Sequence, residues 1–380
     1  MDIKKTLTGM KNANSEKYKK RLAASAVMKL ICTFILFPLT LVCFAGGGFY
    51  TAIDAVVIER QAQAAGTPGK SRSLRQNRED EAVKRIEAGF PEEETETPAE
   101  EPPDDEELML HLYDFDRSTV PDGKYGVIPL SMYKPISADS VPVKNSSGLK
   151  IDYRDYAGRD IDLSVGCDGE YEVLIIHTHG TEAYTPEGVF YVDAGFYPRS
   201  DEKSENVVGI GDVFERIFNE AGIKTLHCEV PIDKASYSKA YDNAAKLIKG
   251  FIAEYPSIKY VFDIHRDSVS MDSGEKVRAV TVINGKTAAQ VMFVIGTDAI
   301  VKANENWGDN FAFALKLQLA LDEKYREFVR PINLKQGAYN QFYTPLSLLI
   351  EVGCDGNTFA EAEYSAALTA DCIVHILKGE

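Results

Sequence analysis

The sequence lacks the surplus of positive charge that a nucleic-acid-binding protein needs. Its 380 residues include 42 Lys and Arg against 58 Asp and Glu, which gives a formal net charge of −16 at pH 7. Proteins that bind nucleic acids displace counterions with a basic surface, so we expect no nucleic acid among the partners. Residues 92–107 alone hold ten acidic residues and three prolines without one basic residue. Such a run is typical of a disordered segment and says little about a folded surface.

The six cysteines lack any Cys-x-x-Cys pair. Cys32 and Cys43 lie in an apolar segment, and the other four are scattered between residues 167 and 372. This spacing indicates neither a disulfide framework nor a thiolate zinc site. The chain also lacks internal repeats. Its hydrophobic content of 44% is enough for a sizeable core, and the composition favours one folded domain with appendages.

One apolar segment, residues 30–53, contains no charged residue. At ~1.5 Å per residue, a helix of this length spans the ~30 Å hydrocarbon layer of a membrane. Residues 1–29 carry eight Lys or Arg against two acids, and the positive-inside tendency keeps such an arm in the cytoplasm. We therefore expect a single-pass protein of the cytoplasmic membrane, with its N-terminus inside and all that follows residue 53 outside. A buried core helix and a signal peptide cleaved near residues 62–65 are the alternatives.

The organisation predicted after the anchor has two parts. Residues 54–107 are polar and end in the acidic run, so we interpret them as a disordered tether. Residues 108–380 form the predicted catalytic domain. Its lead-in, 108–170, is broken by prolines and is expected to be irregular with an edge strand, and its core covers 171–380.

Strand and helix patterns alternate along the core, which predicts an α/β fold. Apolar β-rich runs and helical periodicity give the following elements: strands at 171–177, 223–230, 257–265 and 345–353; helices at 206–221, 236–254, 304–325 and 359–377; and a strand pair, 277–284 with 291–297, joined around Asn284 and Gly285. Such alternation predicts a mostly parallel sheet with helices on both faces and one mixed edge.

Polar clusters follow three of the predicted strands, where ligands bind in sheets of this kind. They are His-Thr-His-Gly-Thr-Glu at 177–182, Asp-Ile-His-Arg-Asp-Ser at 263–268, and Glu351. Imidazole and carboxylate groups are the usual protein ligands of a catalytic zinc ion. Two such clusters in a chain with only six histidines favour a metal site. The alternative is that these residues close the strands through hydrogen bonds alone.

The stretch from residue 171 onward resembles the stage II sporulation protein P family of Firmicutes. Its motifs stand here in order as HTHGTEAY (177–184), NVVGIGD (206–212), FDIHRDS (262–268), FVIGTD (293–298), YNQ (339–341) and LIEVG (349–353). The resemblance implies an amidase-like (phosphorylase/hydrolase-like) fold and a zinc-dependent N-acetylmuramoyl-L-alanine amidase. It also implies peptidoglycan as substrate, with cleavage of stem peptides and of peptide cross-links. The setting it implies is engulfment during sporulation, between mother-cell and forespore membranes, together with stage II sporulation proteins D and M.

The resemblance also implies roles for particular residues. His265 matches a zinc ligand, and His179, which precedes a glycine, is favoured over His177 as the other imidazole. Glu182 is the expected carboxylate ligand, with Glu205 as its competitor at a helix start. The expected general base is the Glu on the last strand, Glu351.

Supporting roles are expected for several neighbours of these residues. Asp263 or Asp267 is expected to orient a ligating imidazole through its second nitrogen. Arg266 suits a substrate carboxylate, with a surface salt bridge as the alternative. Tyr339 and Gln341 are expected to line the cleft. In one departure from the family, Cys354 stands where a second glycine is frequent after the base.

Two other functions compete with the amidase. One is an inactive amidase fold that binds glycan or a partner protein, and the complete set of His and Glu side chains argues against it. The other is a zinc peptidase of the cell wall. Product analysis distinguishes the peptidase from the amidase, because amidase action leaves glycan with free lactyl groups.

Overall fold

The computed structural model describes residues 112–137, 140–301 and 304–379. The predicted cytoplasmic arm (1–29), membrane anchor (30–53) and tether (54–107) lie outside these residues. Within the described ranges, no helix is long and apolar enough to cross a membrane.

Strands and helices alternate through most of the described chain, as the sequence predicts. The strands are β1 (Tyr125–Leu130), β2 (Val143–Asn145), β3 (Val173–Ile176), β4 (Tyr191–Val192), β5 (Thr225–His227), β6 (Tyr260–Asp267), β7 (Lys276–Ile283), β8 (Lys286–Ala289), β9 (Val291–Gly296), β10 (Ile332–Lys335) and β11 (Leu346–Cys354). The α-helices are α1 (Arg154–Ala157), α2 (Val207–Glu220), α3 (Ala240–Glu254), α4 (Trp307–Lys324) and α5 (Phe359–Lys378).

Local sequence fixes the ends of two long helices. The Asn206 side chain accepts hydrogen bonds from the backbone N–H groups of Val208 and Gly209 and so caps α2. Thr358 and Glu361 form a capping box at the start of α5. These caps place both helices where the hydrophobic periodicity predicts them.

A seven-stranded sheet forms the centre of the domain, in the order β2-β10-β9-β11-β6-β3-β5. All neighbours are parallel except β9 and β11. The expectation of a mostly parallel sheet is confirmed, but the mixed pairing lies at the middle of the sheet and not at an edge. The chain between β10 and β11 contains no helix, and so β11 returns in the opposite direction to β10.

A smaller four-stranded sheet has the order β4-β1-β7-β8. The predicted pairing of 277–284 with 291–297 is wrong, because β7 pairs with β8 and β9 belongs to the larger sheet. Asn284 and Gly285 both have positive φ, as a tight two-residue hairpin requires. Such a turn joins directly adjacent residues, so the partner strand has to begin at Lys286.

The predicted lead-in contributes to both sheets. It adds β1 to the smaller sheet and β2 to one edge of the larger sheet, while α1 packs against α4. The lead-in is therefore more regular than the sequence predicts.

Helices cover both faces of the larger sheet, but unequally. Helices α2, α4 and α5 pack on one face through one large apolar core that includes Ile175, Phe262 and Ile350. Helix α3 lies on the opposite face, where it contacts Leu174 and Val261.

Helix α3 covers only the half of this face that is formed by β3, β5 and β6. In the other half, Met292, Val294 and Leu349 form a small separate apolar cluster. This half lies beside the polar ends of β6 and β11, and it forms the floor of a groove.

Candidate active site

The groove has a volume of about 280 Å³ and brings together most of the predicted site residues. Its lining consists of His179, Glu182, Tyr197, Tyr241, His265, Arg266, Asp267, Ser268, Met292, Val294, Asn333, Lys335, Tyr339, Leu349 and Glu351. Of the predicted residues, His177, Glu205, Asp263 and Gln341 do not line it.

Strand pairing explains why these residues meet. The parallel strands β3, β6 and β11 end at the same edge of the sheet, and the polar clusters follow those ends. The register places Glu351 directly beside His265 on the neighbouring strand. The backbone pairing alone therefore places the expected base, Glu351, next to the expected ligand, His265.

His265 lies between two carboxylates. Its Nδ1 is 3.2 Å from Glu182 Oε2, and its Nε2 is 2.9 Å from Asp263 Oδ1, a close approach without hydrogen-bond geometry. Burial lowers the pKa of this imidazole, but Asp263 and Glu182 outweigh burial and raise the pKa well above its ordinary value. Asp263 is fixed in turn by the Thr178 N–H and hydroxyl, which both donate to it. Asp263 thus has the position expected for orienting this ring.

Glu182 is a buried carboxylate surrounded by positive groups. Its Oε1 lies 3.9 Å from Arg199 Nη2 and 3.9 Å from Arg266 Nη1. Burial alone would raise its pKa, but His265 and Arg266 outweigh burial and hold the pKa below its usual range. Glu182 is therefore charged, as a metal ligand must be.

The structure brings His179, and not His177, into the groove. The His179 ring stacks on Tyr237 with 4.5 Å between ring centroids, and its Nδ1 is buried without a hydrogen-bond partner. His177 lies behind the groove, with Nδ1 3.0 Å from the Ile264 carbonyl oxygen and Nε2 2.8 Å from His227 Nε2. Both nitrogens of His177 are thus already engaged.

Glu182 and Glu205, the two candidates for the carboxylate ligand, differ clearly in their surroundings. Glu182 is buried in the groove, whereas Glu205 is exposed and accepts a hydrogen bond from the Ser200 hydroxyl at 2.6 Å. Glu205 is also absent from the groove lining.

Glu351 is half-buried at the groove, and its Oε2 atom is buried without a hydrogen-bond partner. Burial raises the pKa of this carboxyl to about 8, with the charge of Asp267 adding to the effect and that of His265 opposing it. A cation bound beside His265 would lower this pKa by favouring the charged form.

Arg266 and Asp267 serve the fold around the groove. Arg266 is 2% exposed and donates to the carbonyl oxygens of Ala183 and Pro198, each at 2.9 Å. The surface salt bridge considered for Arg266 is therefore wrong. Asp267 is paired with Arg330 at 2.6 Å, and Asp263 is the aspartate that contacts an imidazole.

The YNQ motif contributes one side chain to the groove and one to its support. Tyr339 lines the groove, as expected. Gln341 does not, because its amide bonds the Gly296 N–H and the Val294 carbonyl oxygen. Gln341 thus ties the loop before β11 to β9.

Cys354 lies outside the groove lining, behind the bulge that follows Glu351. Gly353 has a φ of +76°, and the register of β11 against β6 shifts here. The Cys354 thiol is buried, and burial raises its pKa to about 12 although Arg330 opposes the shift. The thiol is therefore protonated and unsuited to bind a metal.

The residues of the groove fit a zinc ion by their chemistry. His179, Glu182 and His265 supply two imidazoles and a charged carboxylate, and the buried Nδ1 of His179 lacks a hydrogen-bond partner. The 3.2 Å between His265 Nδ1 and Glu182 Oε2 matches the spacing of two ligand atoms in a tetrahedral site, about 3.3 Å for bonds of ~2.0–2.2 Å. The ligand atoms of these three residues do not, however, all lie within 4.8 Å of one another.

Among the described residues, a different group meets that distance: Asp212, Glu215, His227 and Glu229. Sequence reasoning missed His227, Arg199 and Tyr237. His227 had one detectable signal, since it is among only six histidines and lies within a predicted strand, 223–230. Arg199 and Tyr237 lie in irregular segments, and only the fold brings them to Glu182 and His179.

Comparison with known families assigns the chain. A family model described as stage II sporulation protein P matches residues 58–374. The chain belongs to this family. The match begins at residue 58, inside the predicted tether (54–107).

A curated relative supports the assignment. The chain is 29% identical over 212 residues to stage II sporulation protein P of Bacillus subtilis (strain 168). This alignment covers 52% of the chain and 49% of the relative, so the chain matches about half the length of the relative.

Solved structures of amidases are similar to about half of the chain. Similar structures include the N-acetylmuramoyl-L-alanine amidase AmiC2 of Nostoc punctiforme, with 14% identity over 55% of this chain and 96% of that chain at a TM-score of 0.34. The CwlD amidase from Clostridioides difficile, solved in complex with the GerS lipoprotein, shows 13% identity over 55% of this chain and 100% of that chain, also at a TM-score of 0.34. At these scores the likenesses say nothing of activity.

Proposed function

We propose that this family member is a zinc-dependent peptidoglycan hydrolase that cleaves the amide between N-acetylmuramic acid and L-alanine. The observation that carries the proposal is the arrangement of Glu351, whose Oε2 is buried without a hydrogen-bond partner and which pairs in register with His265. His265 in turn contacts the charged Glu182. A buried carboxylate oxygen without a hydrogen-bond partner is costly to keep in a fold, and a catalytic role explains its retention.

In this proposal, His179, Glu182 and His265 hold the zinc ion, and Asp263 keeps the His265 ring oriented. Zinc would supply Lewis acidity and lower the pKa of a water molecule towards ~7. Glu351 takes the proton of the attacking water and passes it to the amine that leaves. The negative charge of Glu182 is maintained throughout by Arg199 and Arg266.

The groove suits a substrate with both apolar and polar parts. Its floor of Met292, Val294 and Leu349 offers apolar contact, while Asn333 and Lys335 on β10 add an amide and a positive charge. Stem peptides carry carboxylates and small apolar side chains, and the mixed lining fits both. The same groove also suits peptide cross-links as substrates. A zinc peptidase of the cell wall is therefore the second candidate function.

Product analysis tests the proposal. Purified peptidoglycan is digested with the full chain in the presence of Zn²⁺, and the soluble products are separated and weighed by mass spectrometry. We expect intact stem peptides with a free L-alanine amino group, together with glycan bearing free lactyl groups. Shortened stem peptides without free lactyl groups would show a peptidase instead. The absence of any cleavage by a zinc-loaded protein would favour the binding module.

We further propose that the catalytic domain lies outside the cytoplasmic membrane, where peptidoglycan is. The charge asymmetry around residues 30–53 supports this orientation. A reporter that works only outside the cytoplasm should be active when fused after Glu107 and inactive when fused after Arg21. The reverse result would contradict both the proposed extracellular location and peptidoglycan as the substrate. Complexes with stage II sporulation proteins D and M belong to the same proposal, and co-purification from sporulating cells tests them.

A further inference from the structure

A cluster of three carboxylates and one imidazole lies between α2 and β5, outside the groove. Asp212 and Glu215 are three residues apart on α2 and so share one face of the helix. His227 ends β5, and Glu229 follows it by two residues. One ligand atom of each side chain lies within 4.8 Å of those of the other three.

The hydrogen-bond chain behind this cluster determines where the protons lie on two histidines. The Ile264 carbonyl can only accept, so His177 Nδ1, which is 3.0 Å away, carries a hydrogen. His177 is fully buried and its nitrogens contact a carbonyl oxygen and an imidazole but no carboxylate, so the uncharged ring is favoured. Its Nε2 is then a bare acceptor, and His227 Nε2, 2.8 Å away, has to donate to it.

His227 consequently directs its remaining nitrogen at negative charge. Nδ1 is 3.3 Å from Asp212 Oδ1 and 3.4 Å from Glu215 Oε2, but no hydrogen bond reaches it. The side chain is only 1% exposed, so water cannot relieve the contact. A lone pair between two carboxylates is repulsive, which means that a cation has to lie there. The cation is either a proton on Nδ1 or a metal ion.

We propose that Asp212, Glu215, His227 and Glu229 form a second metal site, one that binds a divalent transition-metal ion such as Zn²⁺. One imidazole with carboxylate oxygens is a ligand set that suits such an ion. The distances of 3.3 and 3.4 Å match the spacing of ligand atoms around a tetrahedral ion with bonds of ~2.0–2.2 Å. The second nitrogen of His227 donates to His177, as the second nitrogen of a ligating imidazole usually does to a fixed partner.

Lys203 competes for the same position. Its ammonium lies 2.7 Å from Asp212 Oδ1 and 3.1 Å from Glu229 Oε2. The Lys203 side chain is 34% exposed, and so it can turn outward when an ion arrives. Asp212 and Glu229 are more than 40% exposed, which leaves the ion a path from solvent.

Glycine in the NVVGIGD motif makes this arrangement sterically feasible. A Cβ on Gly211 would lie 2.6 Å from the Nε2 atoms of both His177 and His227. The absence of a side chain thus lets α2 approach the histidine pair closely enough to present Asp212 and Glu215. An ion there would fasten α2 to β5 and, through His177, to the residue that precedes His265.

Zinc content measured on the full chain tests the proposal. The protein is purified in detergent, dialysed against dilute Zn²⁺ and analysed for metal per chain. We expect two zinc ions in the wild type and one in Asp212→Asn/Glu215→Gln. Glu220→Gln is the matched control, because Glu220 lies on the same helix outside the cluster, and it should keep two. Lys203→Met should bind the second ion about tenfold more tightly, since a nearby positive charge is removed.

His265→Ala separates this site from the groove. It should hold one ion, and combining it with Asp212→Asn/Glu215→Gln should leave none. If the wild type holds one zinc that only His265→Ala removes, His227 is a plain imidazolium and the second site is wrong. If the single zinc is instead lost in Asp212→Asn/Glu215→Gln and kept in His265→Ala, the second site stands and the zinc centre of the proposed function fails.

Discussion

Glu351 is the residue on which the proposed chemistry depends most directly. Changing Glu351 to Gln keeps its shape but removes its ability to take a proton. We expect the variant to fold and to retain zinc, while the rate of muropeptide release falls by ~10²–10⁴-fold. Metal content and product release are measured on one preparation. Wild-type digestion by the glutamine variant would contradict the general-base role.

The two histidines of the HTH motif should respond differently to substitution. His179→Ala removes an imidazole that lines the groove, and we expect it to lose the groove's zinc and its activity. His177→Ala removes a ring that is bonded to Ile264 and His227, and we expect it to retain that zinc. Glu182→Ala and Glu205→Ala form a second pair with the same expected contrast. An exchange of behaviour within either pair would exchange the ligand assignments.

The sequence predicts which residues form the candidate site better than it predicts which residues they contact. The motifs contain every expected ligand, because the carboxyl ends of buried strands can be located from the apolar runs that precede them. Arg199 and the pair of His177 with His227 escape prediction, since residues 50 positions apart meet only through strand pairing. The exposure of Glu205 and the burial of Arg266 likewise follow from the path of the 183–205 segment, which no sequence pattern specifies.

Among the elements, α2 carries an unusual constraint at Gly211. Replacing a mid-helix glycine with alanine usually stabilises a protein by ~0.5–1 kcal/mol. Here the added Cβ would lie 2.6 Å from two buried imidazole nitrogens, so we expect Gly211→Ala to destabilise by ~1–3 kcal/mol instead. Thermal unfolding of the full chain measures the change.

Gly158→Ala provides the matched control for that substitution. Gly158 follows α1 with a φ of −92°, and a Cβ there would meet no atom within 4 Å. Its melting temperature should stay near that of the wild type. An equal or higher melting temperature in Gly211→Ala would mean that the histidine pair is not packed against α2.

The elements with a continuous apolar run or a clear helical period are predictable from sequence, and the others are not. Strands β3, β6 and β11 lie within longer apolar runs, and helices α2, α4 and α5 combine an apolar period with clear ends. Strand β10 has four residues and β4 has two, which is too short for a period to be recognised. Strand β8 reads Lys-Thr-Ala-Ala and is only weakly apolar. The sequence pattern therefore favours the more strongly apolar run of β9 as the partner of β7.

On the scale of the whole molecule, negative charge is concentrated in residues 92–107 of the predicted tether. Deleting residues 92–107 removes ten acidic residues. A segment of this composition makes few packed contacts, so we expect the melting temperature and wall hydrolysis to remain unchanged. Unfolding is followed by calorimetry on the full chain and on the deletion. A drop of several degrees would show that these residues belong to the folded domain.

The central position of β11 has a consequence for the timing of biosynthesis. β11 is the last strand along the described chain, yet it pairs with β6 on one side and with β9 on the other. While the ribosome is still adding residues before 346, β6 and β9 have no shared neighbour and Glu351 does not exist. A polypeptide that stops before β11 therefore lacks the proposed base and the strand that completes the groove. Under the proposed function, a polypeptide that ends before β11 is therefore expected to be unable to hydrolyse peptidoglycan.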